Sequence, residues 1–188
     1  MRFTLAIIIF LVATSVTAND TLWKKLQYDS NMIVFMRNAE STGNKDGSNM
    51  LVWDSTGNCI GESTLTVEGQ KQAKAIGSIF KIHGLVPIVI SSPMCRCKQT
   101  AEIAFGDFIT APELIQASSD DIDQQESFQI KATELIAKHR GQKPIVFVNH
   151  RPNIDSLTME MLSLGDLLVG KIMEDGEIEV LGTVTLKQ

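Results

Sequence analysis

Apolar residues along this chain gather in short unbroken runs, separated by stretches in which they recur every three or four positions. The runs are Asn31-Met-Ile-Val-Phe-Met36, Val86-Pro-Ile-Val-Ile90 and Lys143-Pro-Ile-Val-Phe-Val148. Each has strand length and lacks polar alternation, which predicts strands buried on both faces, as in a parallel sheet. Between them the period lengthens. Val67, Ala73, Ile76, Ile79 and Phe80 share one stripe of a helix that Thr66 caps and Gly84 stops, with its end near His83. Further helices are expected from about Met94, with Pro93 at the first helical position, over 124–139, and from the 149–152 loop to about Leu162. Residues 168–173 and 177–185 flank Asp175-Gly176, a two-residue hairpin signal. A weak strand is expected at 113–116. Residues 37–64, rich in Gly, Asn, Ser and Asp, read as one long loop of the kind that carries function. Strands alternating with amphipathic helices imply an α/β fold, a three-layer α/β/α sandwich with a mainly parallel central sheet.

The N-terminus follows a different pattern. Arg2, the apolar run from Leu5 to Val12 and the small residues Val16-Thr17-Ala18 form the three parts of a secretory signal peptide over 1–18. The apolar run is shorter than the ~20 residues that span a bilayer. The expected product is a single exported domain, 19–188, periplasmic or secreted and without a stable membrane span.

Composition narrows the function. At 44% hydrophobic the chain is not disordered, and 17 Lys plus Arg against 22 Asp plus Glu leave a net charge of −5 with no basic run. That argues against nucleic-acid binding, although single basic residues in a pocket can hold one small anion. The three cysteines are an odd number for an oxidising compartment, so at most one intrachain bridge is expected. Cys95 bridged to Cys97 would be strained, so Cys59 with Cys95 or Cys97 is the expected pairing, with three buried unlinked thiols as the alternative. No His lies at ligand spacing from the Cys pair, so no metal site is expected.

In open parallel sheets ligands collect beyond the carboxyl ends of the strands. Three stretches stand there: Arg37-Asn38-Ala39-Glu40-Ser41, then Ser91-Ser92-Pro93-Met94-Cys95-Arg96-Cys97-Lys98-Gln99-Thr100-Ala101, then Asn149-His150-Arg151-Pro152-Asn153-Ile154. Two Arg forks, a His and a helix N-terminus near Met94 would make a cationic pocket suited to phosphate.

Together with Leu65-Thr66-x-x-Gly69-x-x-x-Ala73, these motifs resemble the histidine phosphatase superfamily, the phosphoglycerate-mutase-like group, over about 33–158. Cys59 and the Cys-Arg-Cys variant are most similar to its small exported bacterial members. The resemblance implies a phosphoglycerate mutase-like fold and no cofactor. It also implies a phosphomonoesterase-type pocket in which Arg37, Arg96 and His150 bind phosphate and a His forms a phosphohistidine. At that nucleophile position the chain carries Asn38. An amide nitrogen has its lone pair delocalised into the carbonyl and cannot take up the phosphoryl group. The acid that the family places as Leu-x-Glu is matched by Leu114-Ile115-Gln116, leaving Glu113 as the possible acid, with Asp120 and Asp121 nearby. His150 remains a conceivable nucleophile or base, whereas His83 and His139, near helix ends, are expected to be structural or surface groups. Glu40 and Ser41 stand either at the pocket entrance or on the surface. Two function classes stay open. One is a phosphatase, weakened or inactive, for a small phosphorylated molecule. The other is a non-catalytic protein that binds such a molecule or inorganic phosphate.

Overall fold

A computed structural model describes residues 18–118 and 120–186. The expected signal peptide therefore lies outside the described residues except for Ala18. Six strands form one sheet: β1 (Met32–Arg37), β2 (Ile88–Ser91), β3 (Ile109–Thr110), β4 (Ile145–Asn149), β5 (Asp166–Ile172) and β6 (Ile178–Thr185). Their order is β3-β2-β4-β1-β5-β6. The first four are parallel, and β5 runs antiparallel to both β1 and β6. The expected buried runs thus form the three central parallel strands.

Period-two alternation along these strands feeds two separate cores. Val34 and Met36 of β1, Val89 of β2, and Val146 and Val148 of β4 face α1 (Ala18–Tyr28), α3 (Val67–Ile82) and α4 (Cys95–Phe105), meeting Leu22, Leu26, Ile76, Phe80 and Ala101. Ile33, Phe35, Ile90, Ile145 and Phe147 point the other way, onto α5 (Ile122–His139) and α6 (Arg151–Thr158), meeting Phe128, Ala132, Ile136 and Ile154. A sheet covered on both faces is the physical reason its strands read as continuous apolar runs. Thr66 caps α3 by accepting from the Gly69 amide at 3.0 Å, and Gly84 takes a left-handed φ of 65° just past its end.

Four local expectations need correction. Pro93 lies outside α4, whose N-cap is Met94. The weak strand at 113–116 is a 3-10 turn at Pro112–Leu114 preceded by the two-residue β3, because Pro112 has no amide hydrogen with which to extend the ladder. The helix begun at Arg151 stops at Thr158, where Met159 turns left-handed, rather than at Leu162. The long loop contains a five-residue helix, α2 (Thr42–Asp46). Helix α1, on which Leu22, Trp23 and Leu26 bury one face, is not among the elements expected from the sequence. No described helix is long and apolar enough to cross a membrane.

Candidate functional site

Parallel pairing brings the ends of β2, β4 and β1 side by side, so the three motifs converge. Arg37 pairs in register with Asn149, the Asn38 amide donates to the Asn149 carbonyl at 3.0 Å, and the Ser92 amide donates to the Val148 carbonyl at 3.0 Å. Gly69 sets how closely the segment after β1 approaches α3. A Cβ there would stand 1.9 Å from the Glu40 carbonyl oxygen, a backbone clash that only glycine avoids. Glu40 is tied down as well, its carboxylate accepting from the Thr66 hydroxyl at 2.7 Å. Ser41 is fully buried and donates to Asn44 Oδ1 at 2.8 Å.

Arg96, His150 and Asn38 lie at the centre, 0%, 1% and 2% exposed. Nη2 of Arg96 donates to His150 Nδ1 (2.9 Å), Gln116 Oε1 (2.7 Å) and the Met50 carbonyl (2.9 Å). A guanidinium only donates, so Nδ1 of His150 is an acceptor and the ring proton sits on Nε2, donating to Ser92 Oγ at 2.7 Å. Burial first, and the charges of Arg96 and Arg37 next, hold His150 well below the usual imidazole range, so the ring is neutral. Arg96 keeps two buried nitrogens, Nε and Nη1, without a partner. Such orphaned donors cost about 1–3 kcal/mol each, more when charged, and an oxyanion would satisfy them. Arg37 donates through Nη1 to the Leu162 carbonyl at 3.0 Å, while its buried Nε has no partner. Burial, with repulsion from Arg151 second, lowers its pKa.

Asn38 is locked in place. Its Nδ2 donates to the Ala39 carbonyl at 2.9 Å and to Asn44 Oδ1 at 3.0 Å. Of the partners left open for Cys59, the structure selects Cys95, leaving Cys97 as a buried free thiol. Cys97 lies 3.7 Å from His150 Nδ1, but burial pushes its thiol up to about 12, so it stays protonated and is no nucleophile.

Gln116, which matches the end of the Leu-x-Glu pattern, reaches the cluster, its amide oxygen accepting from Arg96. Glu113 does not join this cluster. It is exposed and lines a cavity of about 470 Å³ with Asp121, Phe128 and Lys131. Asp121 instead caps α5, accepting from the Gln124 amide at 3.0 Å. His83 stacks on Trp23 at 4.3 Å, and His139 closes α5. Asn153 fastens the segment bearing Gln116, accepting from the Ala117 amide and donating to the Ile115 carbonyl, both at 3.0 Å. Two further groups complete the cluster without any sequence signal, the Met50 carbonyl and Glu62. The Glu62 carboxylate accepts from the Cys95 amide at 2.7 Å, at the start of α4.

The neutral state of His150 has a measurable consequence. The unfolded ring takes up a proton near pH 6.5 and the native ring does so only at lower pH. The unfolded state therefore binds more protons below 6.5, and stability should fall as pH drops through that window, by up to ~1.4 kcal/mol per unit. Urea melts at pH 6.5 and 5.5 should show this loss in the parent. In His150→Gln the loss should shrink, and an unchanged pH difference would count against a buried neutral His150.

Residues 33–133 match the histidine phosphatase superfamily (branch 1). No curated protein matches the chain. Among solved structures, the Rv3214 protein of Mycobacterium tuberculosis superposes with a TM-score of 0.61 at 18% identity, covering 80% of this chain and 95% of that one. Phosphoserine phosphatase of Entamoeba histolytica, solved with 3-phosphoglyceric acid, gives 0.60 at 18% identity, covering 83% and 98%. The protein histidine phosphatase SixA, solved with tungstate, gives 0.56 at 14% identity, covering 82% and 96%. The sequence match over more than half the chain, on a sheet whose strand ends carry the family's motifs, settles the assignment: this chain belongs to the histidine phosphatase superfamily, branch 1.

Proposed function

We propose that this protein recognises the phosphate group of a small phosphorylated molecule, or inorganic phosphate, without forming a phosphohistidine. The observation that carries the reading is Asn38, a buried amide with both donor hydrogens committed, where the resemblance places the nucleophile. His150 cannot take over. Its one lone-pair nitrogen, Nδ1, is engaged by Arg96, and its Nε2 is bound to Ser92 Oγ. The hydroxyls of Ser41, Ser63 and Thr100 are bound into side-chain and backbone networks with no general base beside them. What remains is positive charge: Arg96 with two orphaned donors and Arg37 with one, features of an anion site. The Cys59–Cys95 bridge supports an oxidising compartment, in keeping with an exported protein.

Binding should stabilise the native state by mass action, by ~1.4 kcal/mol at ten times the dissociation constant. Inorganic phosphate should therefore raise the melting temperature of the parent and leave Arg96→Met unmoved. A flat response of the parent to tens of millimolar phosphate, in oxidised and reduced protein alike, would show that the cluster is no anion site.

A further inference from the structure

Segment 47–63 lies over the site and contributes to it. Its Met50 carbonyl occupies a donor of Arg96, and its Glu62 carboxylate occupies the Cys95 amide, one of the free amides at the N-terminus of α4. Those are positions a bound oxyanion would use. Glu62 also accepts from the Asp54 amide at 2.9 Å, which folds the segment on itself. At its near end the segment presses on α2: a Cβ on Gly43 would stand 2.4 Å from the Ser48 carbonyl oxygen and 2.5 Å from the Met50 sulfur. At its far end Cys59 is bonded to Cys95, the residue before Arg96. With the segment closed, Arg96 is 0% exposed.

We infer that segment 47–63 is a redox-controlled lid: the Cys59–Cys95 bridge holds it shut over Arg96, and reduction of the bridge releases it and opens the anion site. The inference rests on the phosphate-binding reading above. In the reducing step a thiolate of a dithiol attacks one sulfur of the bridge, forming a mixed disulfide. Its second thiol then displaces the remaining protein sulfur. The dithiol is oxidised by two electrons to a disulfide, and Cys59 and Cys95 become two thiols. Once free, the lid loses its covalent tie to α4 and keeps its hydrogen bonds and the contact at Gly43. An apparent dissociation constant is the intrinsic one divided by the fraction of open molecules. A lid open in a few per cent of oxidised molecules and in most reduced ones tightens binding at least ~10-fold.

The test is calorimetric titration of inorganic phosphate into the full domain, oxidised and after treatment with dithiothreitol, with circular dichroism reporting that the reduced chain is folded. A second arm keeps the bridge. Gly43 lies in α2 without a left-handed φ, so alanine suits its backbone, and the added Cβ would meet the Ser48 carbonyl and the Met50 sulfur, both in the segment, which must move away to make room. Both the reduced parent and oxidised Gly43→Ala should bind phosphate at least ~10-fold more tightly than the oxidised parent. Equal affinity in all three forms would overturn the lid while leaving the anion site standing. Binding by none of them would overturn the anion site, and the lid with it.

Discussion

Cys59→Ser should lose about 4 kcal/mol of unfolding free energy relative to the oxidised parent, a large share of a domain's stability. The bridge joins residues 36 apart, and closing a loop of that length removes close to 4 kcal/mol of chain entropy from the unfolded state. The native side adds little to offset the loss. The loop tip is exposed at Leu51 and Ile60, and Glu62 is its one buried carboxylate contact to α4. Urea unfolding followed by the fluorescence of Trp23 and Trp53 measures the difference. Thiol counting on the denatured, unreduced parent should find one free thiol, Cys97. A loss below ~1 kcal/mol, or three free thiols, would show that the bridge does not hold the loop in solution.

How much of this was legible in the sequence depends on whether a feature is local. The three buried strands, the Thr66 cap and the Asp175-Gly176 turn are written in adjacent residues, and the structure keeps each within a residue or two. The Gly69 requirement was visible as part of a motif, but its cause, contact with the Glu40 carbonyl, is tertiary. Helix α1 escaped because it has only three buried apolar positions and sits directly after the expected signal peptide. The strand expected at 113–116 failed on Pro112, whose missing amide outweighs the β propensity of the residues after it. The choice between Cys95 and Cys97 could not be made from spacing. Two residues apart on a helix they face nearly opposite ways, Cys95 toward the loop and Cys97 toward His150, and only the packing of α4 decides which meets Cys59. In the site, Arg37, Arg96 and His150 were readable because chemistry at parallel strand ends converges. The covering of Arg96 was not, since it depends on a backbone carbonyl 46 residues away, and a carbonyl leaves no mark in a sequence.

If Asn38 stands in place of a nucleophilic histidine, as proposed above, returning that histidine should return turnover. Asn38 is buried beside Ala39 and Asn44 at the position where the resemblance places the nucleophile, so Asn38→His is the substitution that returns an imidazole there. Restoring a covalent nucleophile should recover on the order of 10³-fold in rate. The gain should also depend on Arg96, because charge stabilisation of the transferring group is the other half of the catalysis. The direct measurement is hydrolysis of an aryl phosphate by the parent, Asn38→His and the double variant Asn38→His/Arg96→Met, each in oxidised and reduced form. Trapping of an acid-labile phosphoenzyme completes it. Background hydrolysis and no phosphoenzyme are expected in the parent, with fast hydrolysis and a phosphoenzyme both appearing in Asn38→His and both lost in the double variant. Hydrolysis by the parent as fast as by Asn38→His would contradict that reading of Asn38.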